Sequence, residues 1–411
     1  MRAARLRQRS NRWRSIRKAE GTRQKAETKL ETKSEAKLET KLETTREKLH
    51  MARSTKLPAS FSLVSPLVSP LVSPFVSAFV LAFVSAVCLL PSAFFVQVTN
   101  AQTPPRWLKG NTHTHTLNSD GDSVSGDVVA WYRSHGYQFL VITDHEFLTD
   151  PAPLNAIYGA ENKFLLIPGQ EVTGRGDGKP VHANQIGAKK VVMPRTTGPV
   201  FDVLQTDVNL IREAGALAQI NHPNFGWALS GADLARVDNG NFVEIWNGHP
   251  QVNNLGGGGV ASAEAMWDEA LTAGKKLFAI ADDDAHHFKI DRLADPTAAA
   301  PGRGWIYVRS ARVDAADILD AMARGDFYAS SGVELTDIVA TSTSLTVSIK
   351  ADTFSKFRTE FIGAGGVVLA ESTVNPAVYT FKGTEKYVRA RVFESNGKKA
   401  WTQAVFRVDP R

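Results

Sequence analysis

A chain of 411 residues has room for two or three domains, and its 43% apolar and 22% charged content is ordinary for a globular protein. The net charge of +6 originates in the leader: residues 102–411 carry 30 Lys/Arg against 35 Asp/Glu, which excludes a globally basic surface for nucleic acid. The single cysteine, Cys88, excludes disulfide and thiolate chemistry beyond it, so any metal site must use histidine and carboxylate.

Residues 1–56 are a basic low-complexity leader, with an arginine-rich start and Glu-Thr-Lys-Leu repeats at 27–30 and 39–42. Its leucines are too few to bury a helix face, so the segment is expected to be disordered, or not translated at all. Met51-Ala52-Arg53-Ser54-Thr55-Lys56 ahead of an uncharged stretch resembles a secretory start, with initiation at Met51. No charge occurs between Lys56 and Arg106, and Ser-Pro-Leu-Val repeats lead into the apolar run Phe75–Leu90. We read 57–101 as the hydrophobic region of a signal peptide cleaved after Ala101, and the protein as exported, periplasmic or secreted. An uncleaved membrane anchor is the alternative; with cleavage no stable membrane partner is expected.

From 105 to 332 short apolar runs alternate with helical patterns. Strands are expected at 107–112, 139–143, 164–168, 216–220, 242–246, 276–281 and 304–309. Phe201, Leu204, Val208 and Ile211 share a helix face, as do Ile318, Leu319 and Met322. Such βα alternation predicts an α/β fold, a parallel sheet or barrel with helices outside. Beyond it, residues 333–411 show β-branched alternation broken by turns, with a hairpin signal at Asn396-Gly397, and predict a small C-terminal β-sandwich-like domain.

Polar groups follow the apolar runs repeatedly. The first set is Asn111-Thr112-His113-Thr114-His115-Thr116 with Asp120 just beyond. Then come Thr143-Asp144-His145, Gly169-Gln170-Glu171, Asn221-His222-Pro223 and Asp282-Asp283-Asp284-Ala285-His286. In α/β barrels the carboxyl ends of the strands converge on one face, so five distant motifs can meet in one bowl. An isolated histidine after a strand is most often a packing residue; it is the convergence that points to ligands.

In this order the motifs resemble those of the PHP (polymerase and histidinol phosphatase) metal-dependent hydrolases, over residues 107–332. Within that family the chain is most similar to the CehA/McbA-type branch, which includes a carbamate-insecticide hydrolase. The resemblance implies a distorted (β/α)7, TIM-like barrel and two or three divalent ions (Zn, Mn or Fe). It matches His113, His115 and Asp120 to the first motif, His145 to the second and Glu171 to the bridging carboxylate. His182, His222, Asp284 and His286 match the remaining ligands. It further implies that His113, His115, Glu171 and Asp284 hold one ion. Glu171, His182 and His222 would hold a second, and Asp120, His145 and His286 a third.

The expected function is phosphoester cleavage by a metal-activated hydroxide, with a small-molecule substrate and no nucleic-acid surface. The alternatives are a carbamate or carboxylic ester hydrolase with the same ions, or a non-catalytic metal-binding module. Asp284 and His286 are the catalytic candidates, joined by His249 and His287 as substrate or proton-transfer contacts. Asp283 is a candidate for a supporting role, while Asp144 and Asn221 are expected to orient ligand imidazoles. His135 is assigned to helix capping. Arg175, Lys179, Arg195 and Arg292 read as solvated loop residues, and Gly256–Gly259 as a loop near the bowl rather than a phosphate cradle.

Overall fold

The computed structural model describes residues 104–160 and 163–407. The leader and signal-peptide readings, and Cys88 with them, lie outside the described residues. Among these, no helix is long and apolar enough to cross a membrane.

The class is mixed α/β, as expected. The first half of the sheet is built from β1 (Arg106–Asn111), β2 (Phe139–Ile142), β3 (Leu165–Gly176), β4 (Lys179–Ile186), β5 (Leu217–Ile220), β6 (Phe242–Asn247) and β7 (Phe278–Asp282). All four residues of β2 are buried, as a parallel strand covered on both faces demands. β1, β2 and β3 pair in parallel, and so do β5, β6 and β7. Between them β4 runs antiparallel to both neighbours. The sheet curls until its two ends meet beyond β1 and β7, where Thr114 and Ala285 form a single parallel bridge. There the His115 amide donates to the Ala285 carbonyl at 2.9 Å, and the Asp284 amide to that of His113 at 3.0 Å.

Helices α1 (Ser125–Ser134), α2 (Pro151–Tyr158), α3 (Val200–Glu213), α4 (Gly231–Arg236), α5 (Ala263–Thr272), α6 (Ile290–Leu293) and α7 (Ala315–Ala323) connect the strands. α3 buries Val203, Leu204, Val208 and Ile211, and the expected Phe201 packs at the margin of that face. On α7 Ile318 and Met322 are buried, and Asp314 caps the start by accepting from the Ala316 and Asp317 amides.

Two strand expectations change. Residues 179–186 form β4, which the sequence conceals because Val181-His182-Ala183-Asn184 is only a short alternation between Pro180 and Gln185, with no continuous apolar run. The apolar run at 304–309 is β8 (Trp305–Ser310), but it is no barrel crossover: it pairs antiparallel with the other edge of β1.

β8 opens a second half, comprising β9 (Phe327–Ser330), β10 (Leu335–Ala340), β11 (Ser344–Ile349), β12 (Phe357–Gly363), β13 (Val367–Ser372), β14 (Ala377–Thr380), β15 (Tyr387–Glu394), β16 (Lys399–Thr402) and β17 (Val405–Phe406). β8, β9, β16, β15, β12 and β13 continue the sheet of β1 without a break. β10, β11 and β14 form a separate three-stranded sheet, and Tyr328, Leu345, Val347, Phe361 and Val392 belong to the core it shares with the main sheet. The expected boundary at 332 falls between β9 and β10, yet residues on both sides share one sheet and one compact unit. Arg389 of β15 is buried against α5, with nitrogens 2.6 and 2.8 Å from Asp268 and 2.8 Å from Glu264.

Candidate metal centre

His113 and His115 follow β1 in extended chain, so their side chains share a face while Thr112 and Thr114 point away. Both are fully buried, and the Nε2 atom of each has no hydrogen-bond partner. Each Nε2 lies 3.3 Å from Glu171 Oε2 and 3.3 Å from Asp284 Oδ1. Those spacings are long for a charge-assisted hydrogen bond. They match the edge of a tetrahedron, since ligands about 2.0–2.1 Å from a shared ion sit about 3.3–3.4 Å apart.

The other oxygen of Glu171 faces a second set. Oε1 is 3.1 Å from His182 Nδ1 and 3.3 Å from His222 Nε2. Asp120 anchors a third, 3.3 Å from His286 Nε2 and 3.4 Å from both His145 Nε2 and His115 Nδ1. All nine expected ligands are therefore brought together, and Glu171 stands between the groups with one oxygen to each side. The donor set of imidazoles and carboxylates suits a divalent transition ion.

Electrostatics favour ionised carboxylates. Burial works to raise the Glu171 carboxyl, but His113, His145 and His182 outweigh it and hold it well below the usual range. Asp284 is held down in the same way against burial, by His113, His115 and His286. At Asp120, hydrogen bonds from His145 and His286 overcome desolvation and lower it too.

The strands explain the placement. The β3–β4 hairpin pairs Thr173 with His182 and Arg175 with Pro180, so these side chains and Glu171 form one wall of a cavity of about 560 Å³. Thr173 Oγ1 lies 2.6 Å from His145 Nδ1. His249 and His287 line the same cavity. Each accepts a backbone N–H at Nδ1, His249 from Gln251 and His287 from Ala299, both at 3.2 Å. The proton of each neutral ring is thus on Nε2. Burial pushes His249 down to about 4, so it is a neutral donor near pH 7.

Three supporting assignments change. Asp144 orients no imidazole; its carboxylate accepts from Thr116 N, Thr116 Oγ1, Ser119 Oγ and Thr149 Oγ1, which fixes the loop after β1. Asn221 orients a carboxylate rather than a ring, donating from Nδ2 to Glu171 Oε1 at 2.8 Å and to Asn184 Oδ1 at 2.8 Å. Asp283 accepts from Tyr132 OH and from the Arg303 and Gly304 amides, so it ties β7 to α1 and to the segment before β8. His135 ends α1, its Nδ1 2.7 Å from the Trp131 carbonyl.

Sequence reasoning missed Glu244. It is buried in the middle of β6, 2.6 Å from His113 Nδ1. Its signal was a lone charge inside the apolar run Phe242-Val243-Glu244-Ile245-Trp246, a placement too costly to persist without partners.

Fold and site together define a mixed α/β protein with a largely buried centre of six imidazoles and three carboxylates, open to solvent at Asp120, in an arrangement that suits divalent ions. No protein-family model matches the chain, and no curated protein matches it. Among solved structures it is similar to a two-domain protein from Bacteroides vulgatus containing a predicted PHP-like metal-dependent phosphoesterase. Identity there is 17%, over 73% of this chain and 96% of that one, with a TM-score of 0.43. An amidohydrolase from Chromobacterium violaceum with bound sulfate and no metal shows 16% identity over 43% and 87% of the chains, with a TM-score of 0.32. A lesion-specific endonuclease from Pyrococcus furiosus shows 13% over 53% and 56%, with a TM-score of 0.33. These likenesses are distant, and the ion-binding reading stands on the chain's own donor geometry.

Proposed function

We propose that the chain is a metal-dependent hydrolase of the PHP type that cleaves phosphoesters of small molecules, with residues 105–332 as the hydrolase domain. The observation that carries this reading is Glu171, one buried carboxylate offering Oε2 to His113 and His115 and Oε1 to His182 and His222. Ions bound there would lower the pKa of a coordinated water and polarise the electrophile. Around them the chain's own residues do the rest. Asn221 holds Glu171 in its bridging orientation. His249 and His287 offer Nε2–H donors toward a substrate oxygen. Arg175, at the rim, adds a cation that suits an anionic ester. The charge-free stretch 57–101 supports export as part of the same proposal.

The test uses purified protein, stripped with a chelator and reloaded with Zn or Mn, on 4-nitrophenyl phosphate, bis(4-nitrophenyl) phosphate and a naphthyl carbamate. Phosphoester turnover that the chelator abolishes and metal restores is expected. Turnover of the carbamate alone would replace this reading with the ester-hydrolase one. His222→Ala and Asp284→Ala are each expected to lower turnover more than about 100-fold while circular dichroism stays unchanged. Wild-type rates in both would contradict the assignment.

A further inference from the structure

Glu244 does not line the open cavity, yet it bonds directly to two residues of the candidate ligand set, His113 and His222. Its Oε1 lies 2.6 Å from His113 Nδ1 and accepts from Gln219 Nε2 at 3.0 Å. Its Oε2 accepts from the His222 amide at 2.7 Å and from Asn247 Nδ2 at 2.8 Å. Four N–H groups thus surround one carboxylate, with the buried Asp282 carboxyl beside it. Asn247 Nδ2 also reaches Asp284 Oδ2 at 3.1 Å, leaving Oδ1 to face the two histidines.

Each contact decides something about a ligand. With its proton held on Nδ1 by Glu244, His113 presents a lone pair on Nε2 toward Glu171 and Asp284. His222 sits at φ +25° and Asp284 at φ +48°, left-handed conformations that such residues seldom adopt unaided. Glu244 ties the first of these by its amide and the second through Asn247. His113 and Asp284 belong to one ligand group and His222 to another, so one buried carboxylate spans both.

Resting on the hydrolase reading above, we propose that Glu244 is the positioning residue that couples the two Glu171-centred ion sites without contacting either ion. The Asp120–His145–His286 group has no direct bond to Glu244, and meets the Glu171-centred groups only through His115, Glu171 and Asp284. A carboxylate that merely joined β5, β6 and β7 would change stability and leave ion binding alone.

The variant that separates these is Glu244→Gln. It keeps the size, but in either orientation its NH2 faces two N–H donors. Calorimetric titration of the chelator-stripped full chain with Zn or Mn, backed by elemental analysis after dialysis, reads the outcome. Ions of the two Glu171-centred sites are expected to bind about 10–100-fold more weakly, while one ion at the Asp120 group is retained. Asp120→Asn should show the opposite pattern. Asn247→Leu, which keeps the carboxylate but removes the donor that Glu244 and Asp284 share, should weaken the site that uses Asp284 by about 10-fold and the His222 site with it, and decides the matter if Glu244→Gln does not fold. Wild-type affinity and stoichiometry in Glu244→Gln, or in Asn247→Leu in that event, would overturn the coupling and leave the hydrolase reading intact. A wild-type chain that bound no ion would sink both.

Discussion

Asp207 is a buried carboxylate with one acceptor too many. Its Oδ1 accepts from the Arg195 amide at 2.7 Å, but Oδ2 has no partner, and burial pushes the carboxyl up to about 7. An acid whose folded pKa exceeds its unfolded value binds its proton more tightly when folded. Its penalty is absent below the unfolded value near 4 and grows as pH rises toward 7. Stability is therefore expected to fall between pH 4 and 7 by at most about 4 kcal/mol from this residue, and Asp207→Asn should remove that slope. Urea denaturation of both proteins at pH 5 and pH 8 checks this; parallel pH profiles would contradict it. Residue by residue, the clustered candidate ligands were legible because histidine and carboxylate just past an apolar run have few other reasons to be there. Glu244 and Asn221 were not, because one carboxylate in a strand and one amide beside a ligand do not declare which group they will hold.

The pairing of β1 with β2 depends on a missing side chain. A Cβ on Gly110 would come within 2.0 Å of the Phe139 ring, which lies across it. Gly110→Ala is expected to cost about 1–3 kcal/mol or more by overpacking, and to weaken ion retention because His113 and His115 hang from the end of that strand. The denaturation midpoint and dialysed metal content are the measurements; a wild-type midpoint would show that the ring moves aside freely. β4 carries the opposite lesson. One face holds His182 and Asn184 while Val181 and Ala183 pack in the core on the other, so the chemistry that makes it useful shortened the apolar signal that announces a strand.

At the scale of the molecule, residues 333–407 complete the sheet and the core they share with β8 and β9. Ending the chain after Gly332 would bare Tyr307 and Tyr328, and leave Asp268 and Glu264 without buried Arg389. Breaking a buried pair by removing one partner costs about 3–5 kcal/mol by itself. The truncated protein is expected to lose its near-ultraviolet circular dichroism and become insoluble; a soluble, ion-binding product would show that the two parts are separable. Ion binding should also stabilise the whole. A site filled at 100 times its Kd adds about 2.7 kcal/mol, so chelation is expected to lower Tm by several degrees, and reloading to restore it.

Residue type and order alone carried the α/β class and the imidazoles and carboxylates that the structure gathers, because coordination demands particular side chains and strand ends deliver them in a fixed sequence of motifs. Folding in three dimensions settled how those groups face one another, the reversal of β4, the path of β8 along the far edge of β1 and the four donors gathered on Glu244. Such features arise from contacts between segments far apart in the chain, and a local pattern of apolar and polar residues holds no record of which distant partner will satisfy a buried charge.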